Sequence, residues 1–289
     1  MAKITIQQAI DTIISVLGVP YDANTVDTIK VGDPQRQLTG IVTTFLATSD
    51  VIARAAAQGA NLIITHEPTF YNHEDMTEWL EEDTIYRAKR QLIDRYAMTI
   101  WRCHDCMHLT QPDSIVVGLA QRLGWTLDPP TPSSAEAYRI LSTGEGILAD
   151  IGMLQRYCPV ATIPPTPLVL LAKQLKGWLG IDSVRVSGPD TLVCRRVGLA
   201  VGALPGSLAI ATLMRADVDV VVCGEVREWE ACEYLRDAAF FGRPKGMIVV
   251  GHAASEEEGM AYLAHWLRRL LPGVPIMHLS NAPALRVVT

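Results

Sequence analysis

Three short stretches of the chain carry side chains that can bind a divalent cation. His66 and Glu67 stand together between Thr65 and Pro68, His104, Asp105 and His108 share one short run, and Glu256 follows four residues after His252. Neutral imidazoles and carboxylates both offer lone pairs to a borderline ion, so Zn, Fe, Mn, Co and Ni all suit such a set. Four of the seven histidines fall in these stretches, the others being His73, His265 and His278. The combined inventory exceeds what one tetrahedral ion needs and fits two divalent metal ions bridged by a carboxylate or a water. Such a pair lowers the pKa of a bridging water toward neutrality, with Glu67 or Asp105 able to accept its proton, so a metal-dependent hydrolase acting on a small-molecule substrate is the leading reading. The competing reading is a metal-binding scaffold or regulatory protein without turnover. Plainer roles stay open for each group: His66 can cap a turn, Glu67 can be solvated, and Glu256 with Glu257 and Glu258 suits the positive end of a helix.

The surrounding elements decide where these side chains lie. Leu62, Ile63 and Ile64 read as a buried strand that Pro68 stops, which puts His66 and Glu67 at its carboxyl end, where open α/β sheets bind ligands. Gly40 to Phe45 reads as the preceding strand, and a helix capped by Ser49 or Asp50 and stopped at Gly59 joins the two into a βαβ unit. Tyr71 to Trp79 is polar and reads as a loop over the strand tip. Asp83 can cap a helix through Arg95, Ala97 to Trp101 is the next strand, and it runs straight into the polar residues Arg102-Cys-His104-Asp105-Cys-Met-His108. Asp113 can cap a helix from Ser114 to Leu123. Gly246 to Gly251 reads as a third strand of this kind, with His252 at its tip and a helix starting near Ser255 and running to Leu271. In one parallel sheet these three tips would converge over a single crevice.

Leu199 to Glu225 has the order of Val42 to Glu67, with strand, loop, helix, strand and a glutamate at the tip, which points to an internal duplication. The helical spacing of Glu228 and Glu230 favours a solvated acidic face. The expected fold is therefore α/β, with two similarly built domains of mainly parallel sheet and the metal site at strand carboxyl ends. Residues 1–127 with 245–289 are expected to form the metal-site domain, and 128–244 the second. Met1 to Pro20 reads as an amphipathic helix ended by Gly18 and Pro20, and Tyr21 to Asp33 as a polar loop. Asp128 to Ser134 reads as a linker, and the prolines of Ile163 to Pro167 precede a helix Leu168 to Leu179 and a strand Ser183 to Val186.

The composition limits the partners. With 289 residues, 49% of them hydrophobic and 19% charged, the chain is long enough for about two globular domains. A formal net charge of -6 argues against binding duplex nucleic acid, which needs a basic face. No apolar run approaches the ~18 residues of a membrane span, so no membrane partner is expected. Six cysteines spread over the chain make no disulfide scaffold, and a cytoplasmic protein with reduced thiols follows as the default. Cys103 and Cys106 compete for the metal loop; a zinc knuckle would need a second such pair, which the sequence lacks, while a redox pair stays open although histidines interleave. Gly202 to Gly206 matches a dinucleotide loop only weakly.

The segments Thr65-His-Glu-Pro68, His104-Asp-Cys-Met-His108, Gly224-Glu-Val-Arg-Glu-Trp-Glu-Ala231 and Gly251-His-Ala-Ala-Ser-Glu-Glu-Glu-Gly-Met260, in this order, resemble the Nif-three-like (NGG-one-interacting-factor-three-like) family of toroidal dinuclear-metal proteins, the GTP cyclohydrolase I type 2 homologues. The resemblance runs from about residue 36 to 262 and is weakest between about 128 and 165. It implies cyclohydrolase-like or phosphohydrolase-like chemistry, a substrate that can be nucleotide-like, and a ring-shaped homo-hexamer. Matching positions imply His66, Glu67, His108, His252 and Glu256 as ligands, with His104 and Asp105 supporting or substituting for them. This chain has Glu67 where the family pattern has a second histidine, and His108 where it has an aspartate. The exchange is reciprocal, so three imidazoles and two carboxylates remain.

Overall fold

The computed structural model describes residues 4–19, 24–129 and 158–288. The stop expected at Pro20, most of the 128–134 linker and the 135–157 stretch lie outside the described residues. The chain forms two compact units, residues 1–114 with 259–282 and residues 115–258 with 283–289.

In the first unit, α1 (Ile6–Leu17) forms as expected, opened by a capping box between Thr5 and Gln8 and closed by Gly18 in the left-handed conformation at φ 64°. The sheet is built from β1 (Ile29–Val31), β2 (Ile41–Thr44), β3 (Leu62–Thr65), β4 (Thr99–Arg102) and β10 (Ile276–His278), in the order β1-β4-β3-β2-β10. Four of these run parallel and β1 runs antiparallel to β4. The helices α2 (Ser49–Ala57) and α3 (Thr84–Arg95) make the crossovers, capped by Thr48 and Asp83. β2, β3 and β4 are buried at every position, the pattern of strands covered on both faces. Val42, Val51, Ile52, Ile63, Phe70, Ile93 and Ile100 form the core on one face.

In the second unit, β5 (Val160–Pro167), β6 (Arg185–Ser187), β7 (Val193–Ala200), β8 (Val220–Cys223) and β9 (Gly246–Val249) form a sheet in the order β5-β7-β8-β9-β6. β7, β8 and β9 are parallel, and the edge strands β5 and β6 are antiparallel to their neighbours. The helices are α5 (Ser114–Leu123), α6 (Leu168–Leu179), α7 (Gly206–Met214), α8 (Glu233–Phe240) and α9 (His252–Leu270), of which residues 252–258 fall in the second unit and 259–270 in the first. No helix among the described residues is long and apolar enough to cross a membrane.

The two sheets repeat one topology. An antiparallel edge strand (β1 or β6) is followed by three parallel strands in the spatial order first, second, third (β2-β3-β4 or β7-β8-β9), and the edge strand pairs with the third. Thr65 pairs with Thr44 and Arg102, as Cys223 pairs with Ala200 and Val249. His66-Glu67 and Gly224-Glu225 are therefore corresponding tips, which extends the duplication seen in the sequence.

Several sequence expectations are corrected. β9 pairs in parallel with β8, so His252 belongs to the second sheet, and residues 115–127, 245–258 and 283–289 fall in the second unit where the first was expected. The expectation of three tips on one sheet edge fails for the same reason: pairing partners are chosen by tertiary contact, not by the local apolar run. Part of the Tyr21 to Asp33 loop is β1, and the prolines of Ile163 to Pro167 lie within β5. That strand tolerates them because it is an edge with a register shift between Thr162 and Thr166.

Candidate metal centre

His66 stands one residue past β3, and its position is fixed by backbone pairing: its N–H donates to Thr44 O at 3.2 Å, and the next N–H, of Glu67, donates to Phe45 O at 2.9 Å. His104 and His108 are placed by α4 (Asp105–Leu109), a five-residue helix that the local sequence pattern does not announce. A helix this short does not persist alone. Its amino end is held by Asp27, whose Oδ1 accepts from the N–H of His104 at 2.6 Å and of Asp105 at 2.9 Å, while Oδ2 accepts from Cys106 at 2.7 Å. A buried carboxylate from a distant loop thus takes three of the helix's orphan donors.

The result is a cluster of three imidazoles. Ring centroids lie 4.6 Å apart for His66 and His104, 5.0 Å for His66 and His108, and 4.9 Å for His104 and His108. One ring nitrogen from each lies within 4.8 Å of the others, a set that can hold a metal ion. The opposite nitrogens face acceptors: His66 Nδ1 is 3.4 Å from Cys103 O, His104 Nδ1 is 3.0 Å from Asp105 Oδ1, and His108 Nδ1 is 2.8 Å from Asp113 Oδ2. Neutral rings so placed carry their proton on Nδ1 and keep the Nε2 lone pair for a cation, the arrangement in which an outer acceptor fixes the tautomer of a ligand. Burial, with the neighbouring His66 and His108 rings, pushes the pKa of His104 down to about 4, so the ring is neutral at pH 7.

Glu67 completes the group. Its Oε1 lies 3.7 Å from His104 Nε2, and its Oε2 lies 3.4 Å from an Arg102 nitrogen. Arg102 is fully buried and also donates to His66 O at 3.0 Å and to His73 O, tying the strand tip to the loop that follows. Asp105 is the alternative to Glu67 as proton acceptor in the sequence reading. Its Oδ1 is taken by His104 and its Oδ2 by Thr25 Oγ1 at 2.7 Å and Val26 N–H at 3.2 Å. The His104 hydrogen bond foremost, then that of Thr25, holds its carboxyl far below the usual range, and the first of these contacts orients the ring.

In the second unit, His252 opens α9, three residues before the expected start, so His252 and Glu256 are i and i+4 neighbours on its first turns. His252 Nδ1 is 3.0 Å from Glu225 Oε1, and its Nε2 is 3.0 Å from Glu256 Oε2. A neutral ring has one N–H for these two carboxylates; a second proton or a cation meets the remaining contact. Two glycines admit this packing. A Cβ on Gly202, at φ +67°, would come 2.2 Å from Glu256 Oε1, and one on Gly224 would come 2.5 Å from Gly202 O and 2.6 Å from Ser255 Oγ. The left-handed backbone costs a non-glycine residue about 1–2 kcal/mol, and overpacking adds about 1–3 kcal/mol. Gly202→Ala should therefore lower stability in urea by at least about 2 kcal/mol; a loss under about 0.5 kcal/mol would show that Glu256 moves aside freely.

The structure thus joins His66, Glu67, His104, Asp105 and His108 in one unit, and His252 with Glu256 in the other. Asp27, Arg102 and Asp113 were not read from the sequence as parts of a site. In the sequence Asp113 reads only as a helix cap, and nothing local marks Asp27 or Arg102.

A family model described as Duf34/NIF3 (NGG1p interacting factor 3) matches residues 20–283. Solved structures with the same fold include protein ybgI, of unknown function, with a TM-score of 0.73, 18% identity, and 98% of this chain and 100% of that chain covered. They also include Staphylococcus aureus protein SA1388, with a TM-score of 0.73, 17% identity and 99% of each chain covered. A Bacillus cereus protein related to NIF3 has a TM-score of 0.70 and 14% identity, with 100% of this chain and 99% of that chain covered. No curated protein matches the chain.

Proposed function

The chain belongs to the Duf34/NIF3 family, and from that premise we propose that it is a metal-dependent hydrolase with two divalent ions. The proposed ligands are His66, Glu67, His104 and His108 in one unit and His252 and Glu256 in the other. The observation that carries this reading is the trio of imidazoles, each with Nδ1 against an acceptor and together offering nitrogens within 4.8 Å of one another. A histidine cluster serving only the core would need no such convergence of lone pairs.

Bound ions would supply a water of lowered pKa and polarise a carbonyl, ring carbon or phosphoryl oxygen of the substrate. The chain's own part is to hold and to accept. Arg102 fixes one oxygen of Glu67, leaving the other toward His104, and Glu67 is the proposed proton acceptor. Asp105 and Asp113 keep the rings of His104 and His108 in the tautomer that binds metal. The substrate is assigned to small molecules with a hydrolysable phosphoester or cyclic amide, nucleotide-like compounds among them. The same reading takes the protein as a homo-hexamer, for which the exposed Trp229, Phe240 and Phe241 offer apolar surface.

Elemental analysis of the purified protein should find close to two divalent ions per chain; none would defeat the reading. A panel of nucleotides, phosphoesters and cyclic amides should then show turnover. Glu67→Gln should abolish it with metal content retained, since the amide keeps an oxygen donor and cannot take up a proton in this role. Bound metal with no turnover on any substrate would identify the second reading, a metal-binding scaffold.

A further inference from the structure

We propose that Cys103 and Cys106 form a reversible disulfide that braces the loop carrying His104 and Asp105. The two sulfurs lie 2.7 Å apart, and a disulfide bond is about 2.05 Å long, so closure needs less than an ångström of approach. The backbone between them is already fixed, because Asp27 accepts from the N–H groups of His104, Asp105 and Cys106. Both cysteines are buried, which confines direct oxidation to a small reagent such as hydrogen peroxide. One sulfur attacks a peroxide oxygen, the O–O bond breaks, and a sulfenic acid and one water result. The second sulfur then attacks the sulfenic sulfur, the S–S bond forms, the S–O bond breaks, and a second water leaves. Two thiols are oxidised to one disulfide while one peroxide is reduced to two waters. An external dithiol reverses the step by thiol–disulfide exchange.

This inference does not depend on metal binding, and its test reads neither metal nor turnover. Purified protein would be treated with excess hydrogen peroxide, its remaining thiols alkylated under denaturing conditions, and the peptides mapped by mass spectrometry, with and without subsequent dithiol. The expected product is a Cys103–Cys106 bridge that disappears with dithiol. Amide hydrogen exchange of His104, Asp105 and Cys106 should be at least tenfold slower in the oxidised than in the reduced protein, and peroxide should leave it unchanged in Cys103→Ser and in Cys106→Ser. Six alkylated thiols after peroxide, a bridge to Cys158, Cys223 or Cys232 in its place, or a bridge without slowed exchange would overturn the proposal.

Discussion

Arg102→Met should unfold the first unit at markedly lower denaturant, with a loss of about 3–5 kcal/mol, the usual cost of leaving buried charge and its partners uncompensated. The guanidinium is fully buried at the end of a central strand. It donates to the carbonyls of His66 and His73 and faces the carboxylates of Glu67 at 3.4 Å and Asp75 at 3.9 Å. Methionine matches much of its length and none of its donors, so two carbonyls lose a partner and two acids lose their cation. Lys30 lies 3.5 Å from Asp75 and compensates only there. Denaturant titration followed by the fluorescence of Trp101, buried in the same strand, measures the loss. A change below about 1 kcal/mol would mean that water replaces the guanidinium and that Glu67 needs no positioning.

Asp113→Asn should weaken binding of a divalent ion by about ten- to hundredfold while leaving the backbone fold intact, the range typical of lost outer-shell partners. Asp113 accepts from His108 Nδ1 at 2.8 Å and is itself almost fully buried. An asparagine amide in that place can donate to Nδ1, which moves the ring proton to Nε2 and removes the lone pair that a metal needs. His108→Ala deletes the donor outright and should weaken binding at least as much. Calorimetric titration of zinc into chelator-stripped protein gives both affinities. Wild-type affinity in Asp113→Asn would show that His108 is no ligand or that it coordinates through Nδ1.

What the sequence disclosed about this molecule depended on range. Pro68 after a run of apolar β-formers placed His66 and Glu67 at a strand end, Asp83 marked the start of a helix, and the repeat of strand, helix, strand and tip glutamate revealed the duplication. Each of these patterns is local, none longer than the 27 residues from Leu199 to Glu225. Sheet membership is not: Gly246 to Val249 looks like any buried strand, and only its pairing with β8 assigns His252 to the second unit. Nor could α4 be seen, because its stability is supplied by Asp27, remote in sequence. Thr48 caps α2 in place of the expected Ser49 or Asp50, a shift of one residue that pattern alone does not resolve. Arg102 reads as the first polar residue after a strand, whereas four acceptors from two segments, His66 with Glu67 and His73 with Asp75, make it a core residue.

The tip glycine of β8 has a consequence for symmetry. Gly224 holds the place in the second half that His66 holds in the first, and any side chain there would strike the Gly202 carbonyl and the Ser255 hydroxyl. Transplanting the histidine to equalise the halves would therefore require moving backbone, not merely trading one rotamer for another. The two copies of the motif are committed to unequal duties, and a chimera built from two first halves would not inherit the glycine-cradled contact between His252 and Glu256.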